Sequence, residues 1–355
     1  MKKHNFSAGP CILPQSVLQQ ASDAIKNFDD LNLSLIEISH RSKNFVAVMD
    51  EAIALVKELL NVPAGYSVLF LQGGASLEFL MVPFNLMKEG GKSAYLETGA
   101  WAKKARQESE QFGETLVVGN SGDKNFNYIP KGYELPADAD YFHFTSNNTI
   151  FGTQIKNFEL AKDSYNVCDM SSDIFSRTIN VADFDLIYAG AQKNMGPAGA
   201  TLVIVKDEIL GHTGRHIPTM LDYRTHIKKE SMFNTPPVFP IYVSMLTLRW
   251  LKENGGVSWI ESINQQKADL LYKEIDRNPL FEGTAAVEDR SNMNACFVLT
   301  DESKKETFDA LWKEAGVNGL NGHRDVGGYR ASMYNALPLE SVQVLVDAMQ
   351  QLENI

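Results

Sequence analysis

A larger α/β domain followed by a smaller α+β domain is the architecture this sequence predicts, and three observations carry the prediction. Apolar runs of strand length, among them 68–71, 141–145 and 201–205, alternate with segments whose apolar residues recur at helical spacing. Glycine-rich turns join strand to helix. Finally, Gly255-Gly256 ends one helical pattern at the point where the order changes to helix, strand, helix, strand, helix. The predicted division is therefore a large domain over 14–255 and a small one over 256–355, preceded by an N-terminal arm over 1–13.

The arm contains Asn5-Phe-Ser-Ala-Gly-Pro10, too rich in breakers for a helix, and helical spacing begins only near Pro14, with Val17, Leu18, Ala21 and Ile25 on one face. A second helix is predicted over 45–61, and the cluster Ser39-His-Arg-Ser42 before it falls on a loop. The strand 68–71 runs into Gln72-Gly-Gly-Ala-Ser76 and then a helix carrying Leu77, Leu80, Met81 and Phe84. Glycines let a phosphate approach the backbone, and free N–H groups at a helix start favour its charge; a plain tight turn would use the same residues. A short strand over 94–96 precedes Thr98-Gly-Ala-Trp101. The Trp101 indole is thereby set either at the carboxyl edge of a sheet, where open α/β folds bind ligands, or in ordinary packing. After 141–145 comes a polar loop, Ser146-Asn-Asn-Thr149. The run 164–168 ends on Asp169, and a carboxylate in apolar surroundings needs a partner. A cationic ring nitrogen, an arginine or the N–H groups of a helix start would each serve.

Two further runs, 185–189 and 201–205, flank Ala189-Gly-Ala-Gln-Lys-Asn-Met-Gly-Pro-Ala-Gly199. Lys193 thus stands on a turn between buried strands, among residues too small to crowd it. Loss of solvation disfavours a charged amine, lowers its pKa from about 10.4 and leaves a nucleophile able to condense with a carbonyl. A lysine on a surface turn is the plainer alternative. After the helix predicted over 241–254, the small domain is expected to contain helices over 259–275, 308–315 and 339–352 and strands over 295–299 and 330–334. Before the last strand and at its start, Gly322-His-Arg324 and Gly327-Gly-Tyr-Arg330 concentrate cationic groups in an acidic chain. Arginine's planar fork suits carboxylate and phosphate.

Composition bounds the function. The 355 residues are 44% apolar, as in ordinary globular proteins, and 33 Lys plus Arg against 44 Asp plus Glu give a net charge of −11. Such a chain is a poor partner for nucleic acid or an anionic membrane. Cys11, Cys168 and Cys296 are odd in number and set among apolar neighbours, the pattern of reduced structural thiols in a cytoplasmic protein. No run approaches the ~18 apolar residues of a membrane span. Gly91-Lys-Ser93 imitates the end of a P-loop, but Leu86 stands where that motif needs glycine. His212 and His216 lack the glutamate of a zinc helix, and no metal site is expected. No serine occupies a G-x-S-x-G elbow.

A weakly solvated lysine, a buried carboxylate, an indole at a sheet edge and a glycine-rich helix start together meet the needs of pyridoxal phosphate. The lysine would form the Schiff base, the carboxylate would keep the ring nitrogen protonated, and the helix start would hold the phosphate. The chain also resembles the phosphoserine aminotransferases, in the class V group of fold-type I pyridoxal phosphate enzymes. The motifs that carry the resemblance are Asn5-Phe-Ser-Ala-Gly-Pro10, Ser39-His-Arg41, Ala189-Gly-Ala-Gln-Lys-Asn194, Met232-Phe-Asn-Thr-Pro-Pro237, Gly322-His-Arg324 and Gly327-Gly-Tyr-Arg330. The resemblance implies a mostly parallel central sheet in the large domain, with Lys193 as the Schiff-base lysine and Asp169 as the partner of the ring nitrogen. It further implies that Trp101 stacks on the ring, that Thr149 bonds to the cofactor, and that Ala75, Ser76 and Gln192 hold its phosphate. Asn234 and Thr235 would join them from the second subunit of a homodimer with shared sites. His40, Arg41, His323, Arg324 and Arg330 would clamp the substrate. The implied reaction moves an amino group between glutamate and 3-phosphohydroxypyruvate, giving phosphoserine and 2-oxoglutarate for serine synthesis, with a phosphorylated four-carbon analogue of pyridoxine synthesis as a candidate second substrate. One clamp would then accept a carboxylate in one half-reaction and a phosphate in the other. The competing readings are a serine–glyoxylate or desulfurase-like activity on the same fold, and a nucleotide-binding module built on the Gly73-Gly74 turn.

Overall fold

The computed structural model describes residues 3–324 and 326–355. After β1 (His4–Asn5) come α1 (Gln15–Lys26) and α2 (Lys43–Leu59), the latter capped by Ser42, whose hydroxyl accepts from the Phe45 N–H. β2 (Tyr66–Leu71), α3 (Gly74–Leu86), β3 (Lys92–Glu97), α4 (Ala100–Ser109) and β4 (Glu114–Asn120) then alternate. β5 (Tyr141–Thr145) turns directly into the hairpin of β6 (Asn147–Asn148) and β7 (Thr153–Gln154), followed by β8 (Tyr165–Asp169), β9 (Leu186–Gly190) and β10 (Thr201–Lys206). Helices α5 (Tyr223–Lys228), α6 (Val238–Glu253) and α7 (Gly256–Arg277) lead to β11 (Phe281–Gly283), β12 (Asn294–Leu299), α8 (Lys305–Glu314), β13 (Val317–Asn318), β14 (Tyr329–Ser332) and α9 (Leu339–Glu353).

Seven strands form the main sheet in the order β2-β10-β9-β8-β5-β3-β4, and β10 alone runs against its neighbours. Helices cover both faces, so the central strands are buried on both sides and read as continuous apolar runs. Along β10 the period of two is visible in the packing: Leu202 and Ile204 join the core of Phe45, Met49, Phe142 and Met245, whereas Val203 and Val205 face Leu69, Phe79, Met81 and Tyr95. Because the strands other than β10 point the same way, the carboxyl ends of β2, β3, β5, β8 and β9 lie along one edge. That edge carries the site.

β11, β12 and β14 make a second, antiparallel sheet whose core includes Leu271, Phe297, Phe308, Trp312 and Leu345. The N-terminal arm belongs to this core: β1 pairs in parallel with β13, and Phe6 and Ile12 are buried in it. The expected polar loop over 146–149 is instead a buried turn and hairpin strand, with every residue from 141 to 155 buried. Its polar side chains bond to one another, Asn147 Nδ2 donating to Ser172 Oγ and Asn294 Oδ1 at 2.8 Å each. Polarity there reflects an internal network and not exposure.

Candidate active site

Five strand ends supply the walls of a cavity of about 330 Å³. After β2, Gly73 adopts φ 92°, and a Cβ on it would lie 2.5 Å from Leu77 Cβ, so the turn into α3 requires glycine twice over. The turn presents Gly74, Ala75 and Ser76 at the helix start to the cavity. After β3, α4 brings Trp101; β5 and β6 bring Thr145, Asn147 and Thr149; β8 ends on Asp169 with Ser171 and Ser172 behind it; and the β9–β10 turn brings Gln192 and Lys193. Ala8 and Gly9 of the arm and His323 and Arg330 from the C-terminal part close the remaining side.

Lys193 Nζ donates to Thr149 Oγ1 at 2.7 Å. Burial lowers the lysine's pKa to about 8; Asp169 opposes the fall and Arg330 adds to it. The stem is held by the arm, where a Cβ on Gly9 would lie 3.4 Å from Lys193 Cγ and the Cys11 thiol donates to the Lys193 carbonyl. Asp169 is 4% exposed. Burial raises its pKa, while the hydrogen bonds of Ser171 and the charge of Lys193 pull it back. The Ser171 N–H reaches Asp169 Oδ1 at 2.9 Å, an Asx turn and not the start of an α-helix. Arg330 Nη1 donates to the Thr149 carbonyl at 3.3 Å, which ties the second sheet to the Lys193 contact. Gly322 lets the His323 loop close on itself: its N–H meets the Gly328 carbonyl at 2.9 Å, and a Cβ there would fall 1.9 Å from the Gly327 oxygen.

The structure thus gathers Ala75, Ser76, Trp101, Thr149, Asp169, Gln192, Lys193, His323 and Arg330 around one cavity. His40, Arg41, Asn234, Thr235 and Arg324 do not line it within this chain. Arg41, Thr235 and Arg324 are exposed, and the Thr235 carbonyl accepts from Gln72 Nε2 at 2.8 Å. Sequence reasoning missed Thr145, Asn147, Ser171, Ser172, Ala8 and Gly9. The small-residue motif of the arm and the two serines that follow Asp169 and Met170 were the signals available for four of them. Lys92, of the false P-loop, pairs with Asp138 at 2.6 Å. Among the described residues, no group of His, Cys, Asp and Glu is placed to hold a metal, and no helix is long and apolar enough to cross a membrane.

The cavity has the chemistry of a carbonyl-condensing site: an amine shifted toward its neutral form, a buried carboxylate and a helix start for an anion. Two residues that line it, Trp101 and Thr145, each carry a buried polar atom, Nε1 and Oγ1, with no hydrogen-bond partner among the described residues, as befits a site for a polar ligand.

The aminotransferase class-V family model matches residues 3–345. The chain is 67% identical over 355 residues to the phosphoserine aminotransferase of Flavobacterium psychrophilum, covering 100% of this chain and 99% of that one. Among solved structures it is similar to the phosphoserine aminotransferase of Bacillus circulans subsp. alkalophilus, with 42% identity, 99% of each chain covered and a TM-score of 0.96. It is similar also to the PLP-bound phosphoserine aminotransferase of Trichomonas vaginalis, with 36% identity, 98% of this chain and 100% of that one covered and a TM-score of 0.93.

Proposed function

Because the chain belongs to the class-V aminotransferases and, within them, to the phosphoserine aminotransferases, we propose that it moves an amino group between glutamate and 3-phosphohydroxypyruvate. The products are O-phospho-L-serine and 2-oxoglutarate, and the route served is serine synthesis. The observation that carries the reading is the convergence of Lys193, bonded to Thr149 at 2.7 Å, with buried Asp169 in one cavity.

The residues present fit pyridoxal 5′-phosphate. The unpartnered Trp101 and Thr145 atoms, the glycine turn and the carboxylate awaiting a cation match its ring, its phosphate and its pyridine nitrogen. When bound, that cofactor supplies an aldehyde and an electron sink for the substrate α-carbon. Lys193 would hold the aldehyde between turnovers and would carry a proton between the substrate α-carbon and the cofactor C4′. Its depressed pKa raises the fraction of the amine in the neutral form that both tasks need. Asp169, as an anion, keeps the ring nitrogen protonated. The N–H groups of Ala75 and Ser76, with Gln192, would hold the phosphate, and Trp101 would pack against the ring. His323 and Arg330 meet the substrate's anionic groups, joined by His40, Arg41 and Arg324. In this reading residues 14–255 hold the cofactor, and residues 256–355 with the arm bring the substrate cations.

Phosphoserine and serine compared as amino donors to 2-oxoglutarate, with glutamate measured as product, test the substrate. Phosphoserine should be preferred by orders of magnitude; equal use of serine would overturn the phosphate-reading role, and no glutamate from either would overturn the reaction. A phosphorylated four-carbon donor, with the same terminal phosphate, belongs in the same series.

We further propose a homodimer in the cytoplasm, with Asn234 and Thr235 completing the partner's phosphate site. Their absence from this chain's own cavity supports it. Lys193→Ala and Thr235→Ala proteins, refolded together, should recover activity, since one site of each mixed dimer contains neither defect. Mixed dimers without recovery would sink the shared site.

A further inference from the structure

We propose that Lys267 is a positioning residue, which fixes the strand bearing Arg330 against the loop bearing Lys193 by holding the turn 333–337. Lys267 lies in α7, is 0% exposed and touches neither the cavity nor solvent. An isolated ammonium is costly to bury. Here its three N–H donors meet three backbone carbonyls, those of Met333 at 3.0 Å, Tyr334 at 2.9 Å and Leu337 at 3.2 Å. The carbonyls all belong to the turn that leaves β14, whose Arg330 stands three residues before Met333.

The turn is bonded to both halves of the site. The Asn335 N–H donates to Asn194 Oδ1 at 3.0 Å, and Asn194 directly follows Lys193. Tyr334 donates through its hydroxyl to the Ala8 carbonyl at 2.8 Å, at the point where the arm lines the cavity. From α7, one turn before Lys267, Asn264 Nδ2 reaches Asn335 Oδ1 at 2.9 Å. Lys267 therefore gathers the inward dipoles of a turn whose other bonds set the distance between Arg330 and Lys193. An apolar side chain of equal length would fill the same space and leave the carbonyls converging on nothing.

The test compares Lys267→Met, Asn335→Ala and the double variant, and its kinetic arm rests on the phosphoserine reading above. Lys267→Met should raise KM for phosphoserine by about tenfold or more, with kcat changed by less than about threefold, because the clamp moves while the chemistry stays. Asn335→Ala should repeat the KM rise, and the double variant should be no worse than Lys267→Met, since both act through one turn. In the unloaded enzyme, deuterium exchange of the 333–337 amides should quicken in Lys267→Met by about tenfold. A fall in Tm with KM unchanged, losses that multiply in the double variant, or unaltered exchange would each overturn the proposal. If Lys267→Met does not fold, Asn335→Ala decides alone: a raised KM supports the link and an unchanged one overturns it. Wild-type enzyme that transfers no amino group from phosphoserine would refute the substrate and leave the exchange comparison standing.

Discussion

Raising the pH over the unloaded enzyme should accelerate capture of pyridoxal 5′-phosphate by Lys193 along a titration curve centred near 8. Burial brings the amine down from 10.5 to about 8. At neutral pH about one molecule in eleven then carries the neutral, nucleophilic amine, against about one in three thousand for an ordinary lysine. The structure thus assigns Lys193 a roughly 300-fold larger reactive fraction, reduced in part by the lower intrinsic nucleophilicity of a weaker base. Stopped-flow absorbance during reconstitution over a pH series reads the rate. Pyridoxal without its phosphate is the control for the cofactor's own ionisation, and the same inflection must appear with both aldehydes. Arg330→Met removes a cation that adds to the depression and should move the inflection up; Asp169→Asn removes an anion that opposes it and should move the inflection down. A rate that climbs without inflection through about pH 10 would show that Lys193 is an ordinary solvated amine.

The same shift has a stability counterpart. Between about 8 and 10.5 the unfolded chain binds a proton at Lys193 that the unloaded folded protein does not. Stability from this group therefore rises with pH across that window, by at most about 3 kcal/mol. Lys193→Met should flatten that part of a melting-temperature series.

Three other outcomes are expected. Asp169→Asn should keep the bound cofactor's colour and lose turnover on the order of a hundredfold or more, the scale for removing one preorganised electrostatic group, and near-normal turnover would reduce the carboxylate to a structural role. Arg324→Ala should harm phosphoserine far more than alanine as donor, whereas equal losses would take Arg324 away from the distal anion. Glu78, buried in α3 and bonded to the Tyr223 hydroxyl, has its pKa pushed up to about 8 by burial. The folded state then holds a proton that the unfolded state releases above about 4.5, so stability from this group falls as pH rises toward 8. Glu78→Gln should gain melting temperature over wild type across that window, and parallel curves would refute the assignment.

Strands buried on both faces are legible in the residues themselves: β5 over Tyr141–Thr145 and the end of β8 at Asp169 appear as apolar runs with a polar stop. β4, over Glu114–Asn120, is an edge strand with mixed exposure and offers neither continuity nor clean alternation. Lys193 and Asp169 can be read because each is a chemically demanding residue at the end of an apolar run. Asn147 and Lys267 cannot, because a buried polar group that is satisfied by distant chain segments has the local spelling of a loop or of a solvated helix face. The bonds from Asn147 to Asn294 and from Lys267 to Met333 span 147 and 66 residues, far beyond any periodicity.

One physical cause lies behind both members of the reacting pair, and it serves them unequally. Burial drives each group toward its neutral form, which suits the role proposed for Lys193, whose neutral amine would react, and opposes the one proposed for Asp169, whose anion would be the useful species. The site corrects the second effect locally, through the Ser171 N–H at 2.9 Å and the positive charge of Lys193. A buried carboxylate is most costly when its cation disappears. Covalent attachment of a cofactor aldehyde would use the neutral form of Lys193, and Asp169 would then need a different cation inside the cavity. A protonated ring nitrogen would meet that requirement, so under the proposed function anchoring the cofactor and keeping its ring charged would be coupled demands of the same two residues.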